Sequence, residues 1–168
     1  DGRHVDRHRR LPPADREALE ALCDAQVLIP SALLLHRVPP QPVDPAAIPL
    51  ATLVLEVAQS CNLRCSYCYA GGGAYGGTPR LMRPELARRA ARHLVESSGD
   101  RGEVTLVLFG GEPLLNLAAL KAAVTEAAAA ALAAGKKLTV SLTTNGTRFT
   151  PDALDFLRQH RIGVSVSI

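Results

Sequence analysis

Cys61, Cys65 and Cys68 stand in the run Ser60-Cys61-Asn62-Leu63-Arg64-Cys65-Ser66-Tyr67-Cys68-Tyr69, with no fourth cysteine nearby. A structural zinc site is closed by four protein ligands, and ordinary ferredoxin clusters also take four cysteines. Three cysteines on a cubane cluster leave one iron without a protein ligand. That iron can bind something else, so the spacing points to reactivity more than to scaffolding. Two other segments carry groups that could meet such a centre. Gly110-Gly111-Glu112-Pro113 sets backbone without side chains beside a carboxylate, and Thr143-Thr144-Asn145-Gly146 ends on an amide.

The elements that must position these groups follow from periodicity. Thr52–Ala58 reads as a strand running into the cysteine loop, and 71–77 as a flexible glycine loop. Pro84–Ser97 has helical spacing through Leu86, Ala90, Leu94 and Val95. Val104–Phe109 is a strand ending in Gly110-Gly111. Leu117–Ala134 is an alanine-rich helix closed by Gly135. Leu138–Thr143 is a third strand, Pro151–His160 a short helix, and Gly163–Ile168 a fourth strand.

Alternating strands and helices with short loops argue for parallel pairing and an α/β fold, with right-handed crossovers placing the helices on one face. On the third strand Leu138, Val140 and Leu142 alternate with Thr139, Ser141 and Thr143. On the fourth, Val164, Val166 and Ile168 alternate with Ser165 and Ser167. One face suits helices; the other is polar and is expected to be shielded from bulk solvent. A doubly wound sheet would be apolar on both faces, so a barrel-like cavity is expected instead, with Glu56 pointing into it. The cysteines, the Gly110–Pro113 segment and the Thr144-Asn145-Gly146 segment all follow strand C-termini, where parallel β/α barrels place their active sites.

Ahead of this region, Pro13 opens a short helix over 13–25 with Leu19, Leu22 and Cys23 on one face. Short apolar stretches follow at 27–29 and 32–35. Pro39, Pro40, Pro42, Pro45 and Pro49 make a stiff linker. The division is therefore 1–48, a tail, short helix and proline-rich linker, and 49–168, the core domain. The arginines and histidines of residues 1–11 read as a solvated tail.

The 168 residues are 47% hydrophobic and 4% aromatic, so the core must be built from Ala, Leu and Val. A net charge of +3 does not call for nucleic acid. Cys61, Cys65 and Cys68 are too close for a disulfide framework, which favours a reducing, cytoplasmic compartment. No stretch reads as a membrane span, the longest apolar run being Ala127–Ala134, and no signal-peptide pattern is visible. The chain starts at Asp1 and stops inside a strand pattern, so it reads as part of a longer protein.

Taken together, these residues resemble the radical S-adenosylmethionine superfamily. The cysteine spacing matches its cluster motif, including Tyr67 before the last cysteine. Gly110-Gly111-Glu112-Pro113 matches its second-strand motif, and Thr143–Gly146 and the serine-rich fourth strand also fit. The resemblance covers roughly 50–168. Ser60–Ala70 and the glycine loop are most similar to the peptide- and protein-modifying, SPASM-type maturases. The fold implied is the N-terminal half of a partial (β/α)6 TIM-like barrel, with four parallel strands, helices outside and a short helical element in front.

The resemblance implies that Cys61, Cys65 and Cys68 hold a 4Fe–4S cluster whose open iron chelates S-adenosylmethionine. Reduction then releases a 5′-deoxyadenosyl radical, which abstracts hydrogen from a substrate, here a peptide or protein under maturation. A flavodoxin- or ferredoxin-like donor would supply the electron. Glu112 is expected to accept from the methionine ammonium, Gly110 and Gly111 to let backbone approach the cofactor, and Pro113 to fix the turn. Tyr67 would face the adenine side. Asn145 and Ser167 would hydrogen-bond the carboxylate or ribose, with Thr144 as a weaker candidate.

Other readings stand beside this one. The cysteines could form a zinc knuckle completed by His36 or His93, making an interaction module, or an iron–sulfur electron carrier. A radical enzyme acting on a small molecule is the nearest alternative. Gly110–Pro113 could be a plain strand-to-helix turn, and Asn145-Gly146 a generic turn dipeptide. Glu56 reads first as a hydrogen-bonded structural carboxylate, Cys23 as a small buried hydrophobe, and His93 and His160 as helix-surface residues. The glycine loop lacks the Lys-Ser/Thr of a phosphate loop. For residues 1–48 the favoured reading is a helical lead-in packing on the barrel, and the alternative is the end of a winged-helix-like peptide-recognition element resembling that of some peptide maturases.

Overall fold

The structure is a computed structural model that describes residues 12–25, 27, 28, 44 and 48–167. The chain divides into two compact units, Asp1–Asp44 and Pro45–Ile168. The first contains helix α1, Pro13–Asp24, which begins with proline in its first turn, where a missing N–H costs nothing. The apolar stretch 32–35 and most of the proline-rich linker lie outside the described residues.

The second unit is a sheet covered by helices. Its elements in chain order are β1 (Thr52–Gln59), β2 (Arg80–Leu81), α2 (Pro84–Glu96), β3 (Glu103–Gly110), a 3-10 turn (Pro113–Asn116), α3 (Leu117–Ala133), β4 (Lys137–Thr144), α4 (Pro151–Gln159) and β5 (Gly163–Val166). The strand order is β2-β1-β3-β4-β5. β1, β3, β4 and β5 run parallel, as their βαβ spacing requires, with pairs such as Leu55↔Leu108 and Leu106↔Val140.

β2 pairs antiparallel with the end of β1 through Ala58↔Leu81 and Gln59↔Arg80. It is absent from the sequence reading because two residues carry no periodicity. Tertiary pairing makes it, continued by the Met82 N–H donating to the Val57 carbonyl at 3.0 Å.

Each helix of this second unit, α2, α3 and α4, is started by local chemistry and held by burial. α2 has Pro84 in its first turn and buries Ala87, Ala91, Leu94 and Val95, one face at helical spacing. Asn116 caps α3, its carboxamide oxygen accepting from Ala119 N at 3.4 Å, and Thr150 caps α4 by accepting from Ala153 N at 3.2 Å. These helices cover one sheet face, where Leu55, Val57, Val104, Leu106, Leu108, Val140 and Leu142 form the core. Leu94, Leu106, Leu108, Leu120 and Leu142 are almost fully buried, each contributing about 1.5–3 kcal/mol.

Three expectations need correction. Pro113–Ala133, 21 residues, is by length and composition long and apolar enough to cross a membrane, which the search for a single apolar run missed. Its Leu120, Ala123, Val124, Ala127 and Ala131 instead pack into the core, as a helix covering a parallel sheet must. The second sheet face is neither uniformly polar nor shielded. Val54, 55% exposed, shares it with Glu56, and Val107 and Phe109 lie on it from β3, because helices cover only the other face. Nor is 71–77 a slack loop. Hydrogen bonds from Gly71 N to Cys68 O, Gly73 N and Tyr75 N to Ala70 O, and Gly77 N to Ala74 O make it a string of tight turns.

Candidate functional site

The C-terminal ends of β1 and β3 are pressed together. Gly111 N donates to Ala58 O and Glu112 N to Ser60 O, both at 2.8 Å, after a register shift between Glu56 and Ala58. The approach leaves no room for side chains. A Cβ on Gly110 would lie 2.4 Å from Ala58 O, and one on Gly111 2.3 Å from Ser60 O. Gly73, at φ +92°, brings the glycine loop onto the same spot, where a Cβ would meet the Gly111 Cα at 2.6 Å. Glycine serves here for close backbone approach, so the cysteine loop, the glycine loop and the end of β3 form one packed unit.

Cys61, Cys65 and Cys68 line one pocket, together with Tyr67, Gly110, Gly111, Asn145 and Ser167. Its volume of about 150 Å³ is below the roughly 300–1,000 Å³ of complete small-molecule sites, so these residues form a wall of a site. Leu63, Tyr69, Phe109 and Thr143 line it too and were not singled out by sequence. Thr143 belongs to the Thr143–Gly146 motif but was given no role of its own, and Phe109 could have been found because it precedes the glycine motif on a strand whose facing was legible.

Two expected members sit elsewhere. Glu112 is fully buried, and the chain itself occupies both its oxygens. Oε1 accepts from Leu114 N at 2.9 Å and Thr144 Oγ1 at 2.8 Å, and Oε2 accepts from Asn145 N at 2.8 Å. The carboxylate therefore clamps the end of β4 to the turn after β3. Pro113 is buried at the start of the 3-10 turn. Asn116, which sequence reasoning passed over, donates to Val57 O at 2.7 Å and Met82 O at 2.9 Å, tying the end of β1 to the segment after β2. Only its place just before an alanine-rich helix could have flagged it, as a cap.

Glu112→Gln keeps the shape of this clamp but sets an amide N–H2 against a backbone or hydroxyl donor. The variant is expected to lose about 1–3 kcal/mol of stability, read as a lower urea midpoint at unchanged slope.

The environment of each sulfur is distinct. The backbone N–H of Gly72, and then those of Ala70, Gly73 and Gly71, lower the Cys68 thiol pKa against a smaller opposing effect of burial. The Tyr67 hydroxyl hydrogen-bonds to Cys65, which raises the tyrosine pKa. Leu63 N and the Asn145 carboxamide donate to Cys61 Sγ at 3.4 and 3.5 Å. Away from the sulfurs, Glu56 is a hydrogen-bond partner of Tyr75, whose pKa is raised by burial first, then by hydrogen bonds to Tyr69 and Glu56. The Tyr69 and Tyr75 rings meet edge-on at 5.9 Å.

This donor set can be tested against the groups that three cysteines suggest. A single zinc ion needs its ligands converging within about 2.0–2.3 Å of one point. Among the described residues no three His, Cys, Asp or Glu side chains are grouped to do so. His93 instead pairs with Ser97 Oγ at 3.1 Å on α2, and His36 lies outside the described residues. Three thiols around one pocket, with N–H donors on the Cys61 sulfur and a lowered Cys68 pKa, suit a cluster that takes each sulfur on a separate iron.

A model of the radical SAM superfamily matches residues 55–168. The AdoMet-dependent heme synthase of Methanosarcina barkeri is 33% identical over 114 residues, 66% of this chain and 29% of that one. The GTP 3′,8-cyclase of Stenotrophomonas maltophilia is 36% identical over 96 residues, 56% and 26% of the two chains. The serine-type anaerobic sulfatase-maturating enzyme of Bacteroides thetaiotaomicron is 30% identical over 127 residues, 74% and 30%. Among solved structures, native anSMEcpe with bound AdoMet and Cp18Cys peptide aligns with a TM-score of 0.59 at 25% identity, over 71% of this chain and 31% of that one. The chain spans about 29% of the length of the heme synthase it matches.

Proposed function

This chain belongs to the radical SAM superfamily, and we propose on that footing that it forms the cluster- and cofactor-binding part of an enzyme that modifies a peptide or protein. Members of the family bind a 4Fe–4S cluster and S-adenosylmethionine. The reduced cluster would supply one electron to the sulfonium of S-adenosylmethionine, whose carbon–sulfur bond would break to give methionine and a carbon-centred radical able to take a hydrogen atom from a substrate.

The observation that carries the reading is the gathering of three thiols with Gly110 and Gly111 at the ends of parallel strands. Cys61, Cys65 and Cys68 would hold the cluster as thiolates, and the backbone N–H groups that lower the Cys68 pKa favour that form. Gly110 and Gly111 leave backbone exposed to the cofactor. Tyr67 and Ser167, which line the pocket, are the side chains proposed to contact it. Glu112 and Pro113 would act indirectly, by holding the strand ends, since neither lines the pocket. The electron would come from an external flavodoxin- or ferredoxin-like protein. The compartment is read as the reducing cytoplasm, in keeping with four free cysteines, with no membrane or nucleic-acid partner.

A peptide or protein substrate is supported by the sulfatase-maturating relative and by the peptide bound in the solved neighbour. The GTP cyclase relatives favour a second reading, a small-molecule substrate. The two are separated by where the hydrogen comes from. Cells grown in deuterated water are fractionated into peptides and small molecules, and each fraction is incubated with the reduced protein and S-adenosylmethionine. Deuterium in 5′-deoxyadenosine from the peptide fraction alone is expected. Deuterium from the small-molecule fraction alone would sink the peptide reading.

A further inference from the structure

Asn145 directly follows β4, yet its carboxamide is turned onto the cysteine loop. Nδ2 donates to Cys61 Sγ at 3.5 Å and to Asn62 Oδ1 at 3.1 Å. Oδ1 accepts from Thr147 N at 3.0 Å and Thr147 Oγ1 at 2.7 Å. A carboxamide has two N–H donors and two lone pairs, so every one of its positions is taken. Its orientation is also determined. The Thr147 backbone N–H can only donate, so the atom facing it must be the oxygen, and the N–H2 must face the sulfur. The network closes through Asn62 Nδ2, which donates to Thr147 Oγ1 at 2.7 Å. Behind it, the buried Glu112 carboxylate holds Asn145 N at 2.8 Å.

Asn145 therefore has no free polar side-chain atom for the carboxylate or ribose expected of it, but it has one donor fixed on a cysteine sulfur. Among the described hydrogen bonds, it is the side chain from outside the cysteine loop that reaches one of the three sulfurs. We propose that Asn145 is a positioning residue that acts through Cys61, raising the reduction potential of the cluster that Cys61 ligates. This rests on the cluster reading above. The physical reason is direct. Reduction by one electron adds negative charge that the thiolate sulfurs share, and an N–H aimed at a sulfur stabilises the more negative state. The effect would ease electron transfer from the external donor, and the Glu112 clamp would keep it in place.

The test is a redox titration of the anaerobically reconstituted protein, with dithionite as the one-electron source and the reduced-cluster paramagnetic resonance signal as readout. A hydrogen bond to a charged acceptor or its loss is a modest free-energy change, so Asn145→Ala is expected to lower the ratio of reduced to oxidised cluster about three- to tenfold at the wild-type midpoint. At one electron this is a midpoint about 30–60 mV more negative. Thr147→Ala removes a partner from the same turn but leaves the Asn145 donor held by Thr147 N, and its midpoint is expected to match wild type.

An Asn145→Ala midpoint equal to wild type would overturn the proposal. So would a Thr147→Ala shift as large as that of Asn145→Ala, because the turn rather than the donor would then set the potential. An Asn145→Ala protein that takes up no cluster would make the amide an assembly residue and overturn tuning as its role. Failure of the wild type itself to take up a cluster would instead bring down the reading on which the proposal rests.

Discussion

Each of Cys61→Ala, Cys65→Ala and Cys68→Ala is expected to abolish reductive cleavage of S-adenosylmethionine. The loss should exceed about a hundredfold, because removing even an outer partner of a metal ligand costs about 10–100-fold. The three sulfurs line the same pocket, and nothing beside them can take over. Among the described residues Glu112, the nearest buried carboxylate, is committed to Leu114, Thr144 and Asn145, and His93 pairs with Ser97 on α2. Iron and sulfide content after anaerobic reconstitution, with 5′-deoxyadenosine formation, checks the result. Cleavage at wild-type rate in any one variant would remove that cysteine from the site. Because none of the three cysteines belongs to the hydrophobic core, urea midpoints of the metal-free variants should stay within about 1 kcal/mol of wild type in stability. A fold defect and a ligand defect are thereby separated.

Gly111→Ala should have the largest structural effect of any methyl-sized change at the site. The new Cβ would stand 2.3 Å from Ser60 O, 2.6 Å from Ser60 C and 2.8 Å from Gly73 Cα, all backbone atoms. No rotamer relieves this, so the cysteine loop must move away from the end of β3. The hydrogen bonds from Gly111 N to Ala58 O and Glu112 N to Ser60 O would stretch or break. Overpacking costs about 1–3 kcal/mol and each hydrogen bond about 1 kcal/mol, giving a loss of about 3–5 kcal/mol and no cluster uptake. Gly71→Ala is the control. Its Cβ would meet nothing within 4 Å, at φ +56°, so only left-handed backbone strain of about 1–2 kcal/mol is expected, with cluster uptake retained. Equal stability of Gly111→Ala and wild type, by urea unfolding, would refute the close-approach account.

The parts of this protein that were legible in the sequence are those whose signal is local. The strands β4 and β5, the proline-led helices α2 and α4, and the alanine-rich α3 all appear where periodicity put them, within a residue or two at their ends, although on β5 Val164 and Val166 are exposed rather than packed under a helix. The cysteine triad was legible because its spacing is unusual, and its place at a strand end followed from the fold class. What was not legible depends on partners distant in the chain. Glu112 looks like a ligand by residue type, and only its three donors, two of them from the end of β4, show that it is a clamp. Asn145 looks like a turn residue or a cofactor contact, and only Thr147 and Cys61 fix which way its amide faces. β2 exists through pairing with Ala58 and Gln59 and has no pattern of its own. The glycine loop seemed slack because glycine permits slackness; the contact of Gly73 with Gly111 shows that here it permits density.

The central claim is that Cys61, Cys65 and Cys68 hold a cluster with an iron open to S-adenosylmethionine. Electron paramagnetic resonance of the anaerobically reconstituted, reduced protein, recorded with and without S-adenosylmethionine, tests it most directly. The account predicts a reduced cubane signal whose shape changes when the cofactor is added. A cubane signal indifferent to the cofactor, or stoichiometric zinc with no cluster signal at all, would contradict it.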